Sequence, residues 1–212
     1  MSCWPWTGPP VALDLPGHGR SSRRGRGDYR PRRLAAALEE TVRSFAPGGV
    51  PVVGLGFGAL AAIALKAKFP HSAGRLVLVD ALPGTLSPGL RLWPAPSPEF
   101  PTRDEAVAWL EGRGATDAAR TAELETEQAA DGTWSWRHHL GSLPPDAPTA
   151  LDDEALWEQL VAVPFPLLVR TENGPLDAAS LDRFRARVPD GDIVTVHADP
   201  QDLADVLRPL TH

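Results

Sequence analysis

Apolar positions along the chain follow two rhythms. Leu34, Leu38, Val42 and Phe45 recur at helical spacing and predict a helix over 31–45. Val50 to Leu55 is instead a nearly continuous apolar run, read as a buried strand, and 57–68 continues as a helix that ends on Lys66 and Lys68. Arg75-Leu76-Val77-Leu78-Val79-Asp80 is a second buried strand, and Val11-Ala12-Leu13-Asp14 predicts a short one before the first helix. Further on, 166–170 returns to strand, 177–187 to helix, 192–196 to a last strand and 201–207 to a last helix. Strands alternating with helices in this way indicate a doubly wound, mostly parallel α/β sheet.

Between these halves the rhythm changes. Residues 84–163 are rich in proline at first, then helical around 104–111 and 118–130, then aromatic at Trp134 and Trp136. No strand is expected there. The stretch reads as a helical cap inserted into a core made of residues 1–83 and 164–212.

Composition narrows the function classes. The net charge of −6 gives an acidic polymer no broad basic face, so no nucleic-acid partner is expected. Seven arginines gather between Arg20 and Arg33, which reads as a solvated loop, with an anion or peptide contact as the alternative. The single cysteine, Cys3, makes a disulfide framework impossible within the chain and points to a reducing, cytoplasmic setting. The start Met-Ser-Cys-Trp-Pro-Trp has neither the basic region nor the apolar core of a signal peptide. Gly48 to Leu65 is uncharged, yet its glycines and Pro51 divide it into strand, turn and helix, so no membrane span is expected. No cluster of His, Cys, Asp or Glu has ligand spacing, and neither a metal nor another cofactor is expected.

The candidate chemistry centres on Val53-Gly54-Leu55-Gly56-Phe57-Gly58-Ala59, a glycine-crowded turn between a strand and a helix. A dinucleotide fingerprint would have its third glycine where Ala61 stands, a position that tolerates alanine, but only Asp80 offers the following acid, at a marginal distance, and the flanking motifs outweigh this match. The turn is also the setting of a nucleophile elbow, G-x-S-x-G, with Gly56 where the serine would be. Leu13-Asp14-Leu15-Pro16-Gly17-His18-Gly19-Arg20-Ser21 matches D-x-x-G-H-G-x-S, and Leu76 to Asp80 matches the strand after the nucleophile helix.

With these motifs in order, the chain resembles the α/β-hydrolase superfamily. The resemblance implies an α/β-hydrolase fold with an inserted helical cap, and it implies that the strands preceding the fourth are missing at the N-terminus. Carried over residue by residue, it places Gly56 at the serine, Gly174 in the loop that would hold the acid, and Gln201 at the histidine. A Ser-His-Asp relay needs a hydroxyl, an imidazole and an acid, and none of the three positions provides its group.

Other groups stand near those positions. His197 ends the last strand, either as a displaced base or as a histidine satisfied by hydrogen bonds. Asp80 is either an alternative acid or a capping carboxylate. At most one of His138 and His139 is expected to face the cleft, and His18 belongs to the fold signature. Gly56, Phe57, Gly58, Trp134, Trp136 and His197 are the expected substrate-binding residues, with the first turn of the helix ready to receive an anionic group. The tryptophans could equally pack the cap. The favoured expectation from sequence is a non-hydrolytic isomerase, similar to the peptide epimerase of the bottromycin pathway, exchanging an α-proton of a modified peptide or a hydrophobic small molecule. The alternatives are a pseudoenzyme that only binds such a ligand, and a truncated family hydrolase.

Overall fold

A computed structural model describes residues 10–86, 97–115, 117–143, 146–148, 150–197 and 200–208. In chain order the elements are α1 (Pro31–Phe45), β1 (Val50–Leu55), α2 (Phe57–Lys68), β2 (Ala73–Val79), α3 (Arg103–Glu111) and α4 (Ala118–Glu125). There follow β3 (Thr126–Gln128), β4 (Trp134–Trp136), a 3-10 turn (His139–Ser142), α5 (Asp153–Val161), β5 (Leu167–Thr171), α6 (Ala178–Arg187), β6 (Asp192–Val196) and α7 (Pro200–Leu207). The chain divides into two compact units: Met1–Ala12, Arg30–Gly89 and Ala150–His212 form one, and Leu13–Tyr29 with Leu90–Thr149 form the other. Cys3 lies outside the described residues.

The first unit carries a four-stranded sheet in the order β1-β2-β5-β6, every pair parallel. Leu76, Val77 and Leu78 of β2 are fully buried, as expected where helices cover both faces of a parallel sheet. Leu76, Leu78 and Leu168 point into a core shared with Leu60 and Ile63 of α2, Trp157 of α5 and Phe184 of α6. Val77, Val79, Leu167 and Val169 point the other way, where Leu203, Val206 and Leu207 of α7 pack on them. Pro31 stands at the start of α1, where a missing N–H is no loss, and the helix buries Leu34, Ala35 and Val42.

The register aligns Leu55 with Val79, Val79 with Val169, and Val169 with Val194. The carboxyl ends of all four strands therefore emerge at one end of the sheet. In open α/β sheets that is where ligands bind.

Three sequence expectations change. Residues 11–14 form no strand, and Val11 and Leu13 are exposed. A strand exists through its ladder, and among the described residues this segment has no ladder partner. Within 84–163, where no strand was expected, β3 and β4 form an antiparallel hairpin. Its turn is held by Asp131, whose Oδ1 accepts from the N–H and hydroxyl of Thr133, and α4 ends at Glu125 instead of running on to 130. Lastly, α5 belongs to the sheet unit and not to the insert. The reason is its apolar face: Leu156, Trp157 and Leu160 are buried in the sheet-side core, and Trp157 Nε1 donates to the Pro83 carbonyl at 3.1 Å.

The second unit is built around Phe100, Ala106, Leu110, Ala118, Ala122 and Trp136. Thr102 caps α3 by accepting the Glu105 N–H, and Asp117 caps α4 by accepting that of Arg120.

Candidate active site

The site begins where β1 ends. Gly56 turns the chain into α2 with φ 53° and ψ −123°, a conformation that a residue with a side chain adopts only at a cost. Its N–H donates to the Val79 carbonyl at 3.2 Å and its carbonyl accepts from Ala59 at 3.0 Å. A Cβ built on Gly56 meets no heavy atom within 4 Å. The turn is thus an elbow with open space above it, followed by first-turn N–H groups at Phe57 and Gly58 that have no partner inside the helix. The ring of Phe57 is half-buried and packs against the sheet-side core.

Asp80 stands one strand over, immediately after the residue to which Gly56 donates. It has φ 51°, one of two described non-glycine residues with positive φ. Its N–H donates to Val169 at 3.0 Å. Its carboxylate takes the Thr171 N–H on Oδ1 and the Thr171 hydroxyl on Oδ2, both at 2.8 Å.

Gly174 completes this corner from the turn after β5. A Cβ there would lie 2.7 Å from Asp80 Oδ1 and would also collide with the Thr171 hydroxyl. The loop position where the resemblance expects an acid is therefore filled by the Asp80 carboxylate reaching across from β2. Gly174→Ala is expected to destabilise the protein by about 1–3 kcal/mol, as overpacking does, and to lower the midpoint of a urea titration. An unchanged midpoint would show that the corner tolerates the methyl group.

His197 follows β6, and its Nδ1 lies 3.0 Å from Glu172 Oε2, both side chains being more than half exposed. Glu172 was not singled out from the sequence, although it sits one residue before the Asn173-Gly174-Pro175 turn where an acid was sought. Three interstrand steps separate β6 from β1, roughly 14 Å. His197 is thus a surface pair with Glu172, at the edge of the sheet opposite β1. Gln201 lies on α7 with its amide donating to Asp205 at 3.0 Å.

Trp134 and Trp136 belong to the other unit. Trp136 is 3% exposed and packs its ring against Phe100 and Trp109 at 5.8 and 5.5 Å between centroids. Trp134 bridges Phe100 and carries the Arg103 guanidinium 4.4 Å above its ring. Of the expected binding residues, the sheet unit brings together Gly56, Phe57 and Gly58, with Asp80 and Gly174 beside them. Among the described residues no group of three or more His, Cys, Asp or Glu could hold a metal ion, and no helix is long and apolar enough to cross a membrane.

The elbow, the parallel sheet and the segment order agree with a family model described as "Alpha/beta hydrolase family", which matches residues 2–206. The chain belongs to the alpha/beta hydrolase family. Within it, this hydrolase-family chain is similar to esterase Rv0045c of Mycobacterium tuberculosis, at 33% identity over 177 residues covering 76% of this chain. It spans 57% of that relative's length. The crystal structure of the same esterase superposes with a TM-score of 0.74 at 27% identity, covering 92% of this chain and 72% of that one. The fold alone is shared with a hydrolase of E-2-(acetamidomethylene)succinate, at a TM-score of 0.68 and 22% identity over 92% of this chain and 76% of that one. These relatives overturn the epimerase expectation. The chain's similarity runs to proteins named for ester hydrolysis, not to an isomerase.

Proposed function

We propose that this chain hydrolyses carboxylic esters of small molecules with water in place of a serine. Gly56, Gly174 and Gln201 occupy the positions of the Ser-His-Asp relay, so the usual acyl-enzyme has no nucleophile to form on. The observation that carries the reading is the elbow: its backbone keeps the φ and ψ of a sharp strand-to-helix turn, and the space above Gly56 is open. The likeness to esterases supplies the substrate class.

In this mechanism a water sits above Gly56 and attacks the acyl carbon. Asp80 accepts its proton, each carboxylate oxygen having a lone pair beyond the bond it takes from Thr171. The oxygen that becomes negative faces the first-turn N–H of Phe57, whose helix end favours the charge. Collapse of the tetrahedral intermediate expels the alcohol, which takes back the proton from Asp80 and leaves the acid.

With p-nitrophenyl butyrate, product is expected to accumulate linearly from the first turnover, and a fluorophosphonate probe is expected to leave the chain unlabelled. An initial burst or a labelled residue would overturn the water mechanism. Absence of any hydrolysis above buffer would overturn the activity.

A further inference from the structure

Residues 13–29 and the stretch 134–142 lie in the same compact unit, which is not the one that carries the elbow. They are joined at two adjacent histidines. His18 and His138 form an antiparallel bridge, and the His139 N–H donates to the Gly17 carbonyl at 2.7 Å. The Tyr29 hydroxyl, on a fully buried ring, lies 2.6 Å from His139 Nδ1 and accepts the Arg24 N–H at 2.8 Å.

Tyr29 and His139 therefore share a hydrogen bond across the junction, in which the phenol donates when Nδ1 is unprotonated. His138, beside it, stacks on Trp136 at 6.0 Å with an interplanar angle of 18° and faces the His18 ring at 6.4 Å.

Burial pushes His138 down to about 4, with the nearby His18 and Arg23 adding to the effect against an opposing backbone hydrogen bond. Burial, with Arg23, also lowers His139. The titratable and charged groups facing the junction include Asp14, His18, Arg20 and Arg23 on the 13–29 segment, and Glu125, Glu127 and Arg137 on the opposite wall. Between these walls lies a cavity of about 530 Å³, with His138 in its lining.

We propose that His138 and His139 form an acid-sensitive latch, holding segment 13–29 over this cavity while both rings are neutral and releasing it when they take up protons. The sign follows from the direction of the shifts. A histidine whose folded value is depressed favours the closed form above its ordinary value of 6.5. That contribution is lost as the pH falls from there towards the folded value.

Hydrogen exchange followed by mass spectrometry, expressed as protection factors between pH 7.5 and 4.5, tests the latch. The Gly17, His18 and Ser21 amides, which donate to Ser22, Leu15 and His18, are expected to lose protection at least about tenfold on acidification. Strands β1, β2, β5 and β6 are expected to keep theirs. Tyr29→Phe keeps the ring but lacks the hydroxyl, and should leave the segment under-protected even at pH 7.5. The double variant His138→Phe, His139→Gln should hold it closed to pH 4.5.

Three results would each overturn the proposal: unchanged protection of 13–29, loss of sheet protection in step with it, or a double variant that opens at the wild-type pH. If the double variant does not fold, the imidazole C–H resonances of the wild type decide. A His138 titration near its ordinary value rules the latch out, and one displaced to low pH together with segment opening supports it.

Discussion

Asp80→Asn is expected to lower ester hydrolysis about 10²- to 10⁴-fold, the usual contribution of a positioned general base, with little effect on the fold. The substitution suits the site for two reasons. Asparagine tolerates the positive φ that Asp80 adopts better than most residues. Its side-chain oxygen can also still accept the Thr171 N–H, now at 2.8 Å, while the Thr171 hydroxyl turns to another acceptor. What is removed is the charge and the ability to take a proton from water. Progress curves with p-nitrophenyl butyrate, beside circular dichroism of the same samples, separate the two effects. Equal turnover in the folded variant would exclude Asp80 as the base. Glu172→Gln is the matched control: its carboxylate faces His197 at the opposite edge of the sheet, so hydrolysis should be unaffected.

The largest stability effect is expected at Trp157. Its side chain is 1% exposed, joins α5 to the sheet-side core and ties the Pro83 carbonyl through Nε1. The guanidinium groups of Arg183 and Arg187 stand 4.9 and 5.3 Å from the ring centroid, and both pair with Glu154. Trp157→Ala would remove this apolar bulk and leave a cavity, at a cost of about 3–5 kcal/mol. Against a total stability of about 5–15 kcal/mol, that is a large fraction. For a chain of this size the thermal midpoint should fall by about 6–20 °C. Trp157→Phe keeps most of the volume and loses the hydrogen bond, so roughly 1–3 kcal/mol is expected from the unsatisfied carbonyl. A midpoint within about 2 °C of wild type for the alanine variant would mean that α5 does not depend on this anchor.

Legibility of the site followed the same division as that of the fold. The elbow could be read because it is local: strand, glycine turn and helix occupy consecutive residues, with Gly56 at the tip of the turn. The group that fills the acid corner, Asp80, arrives from another strand, and its partner Thr171 is 91 residues away in sequence. His197 was read as a possible base because it ends the last strand. The strand order places that end three ladders from the elbow, a distance that sequence spacing does not carry.

By itself, the amino-acid sequence determined the helix over 31–45, the buried strands and their parallel arrangement, and the family, because each rests on short-range periodicity and contiguous motifs. It also held the hairpin turn at Asp131-Gly132, although the flanking strands, three residues each, are too short for periodicity to register. Only the tertiary structure decided that residues 11–14 stay irregular, that α5 joins the sheet unit through Trp157, and that Asp80, Thr171 and Gly174 share one corner. The same holds for Tyr29 and His139, which meet across 110 residues. Such meetings are set by strand order and register, long-range properties that emerge only when the sheet closes and its buried faces find their partners.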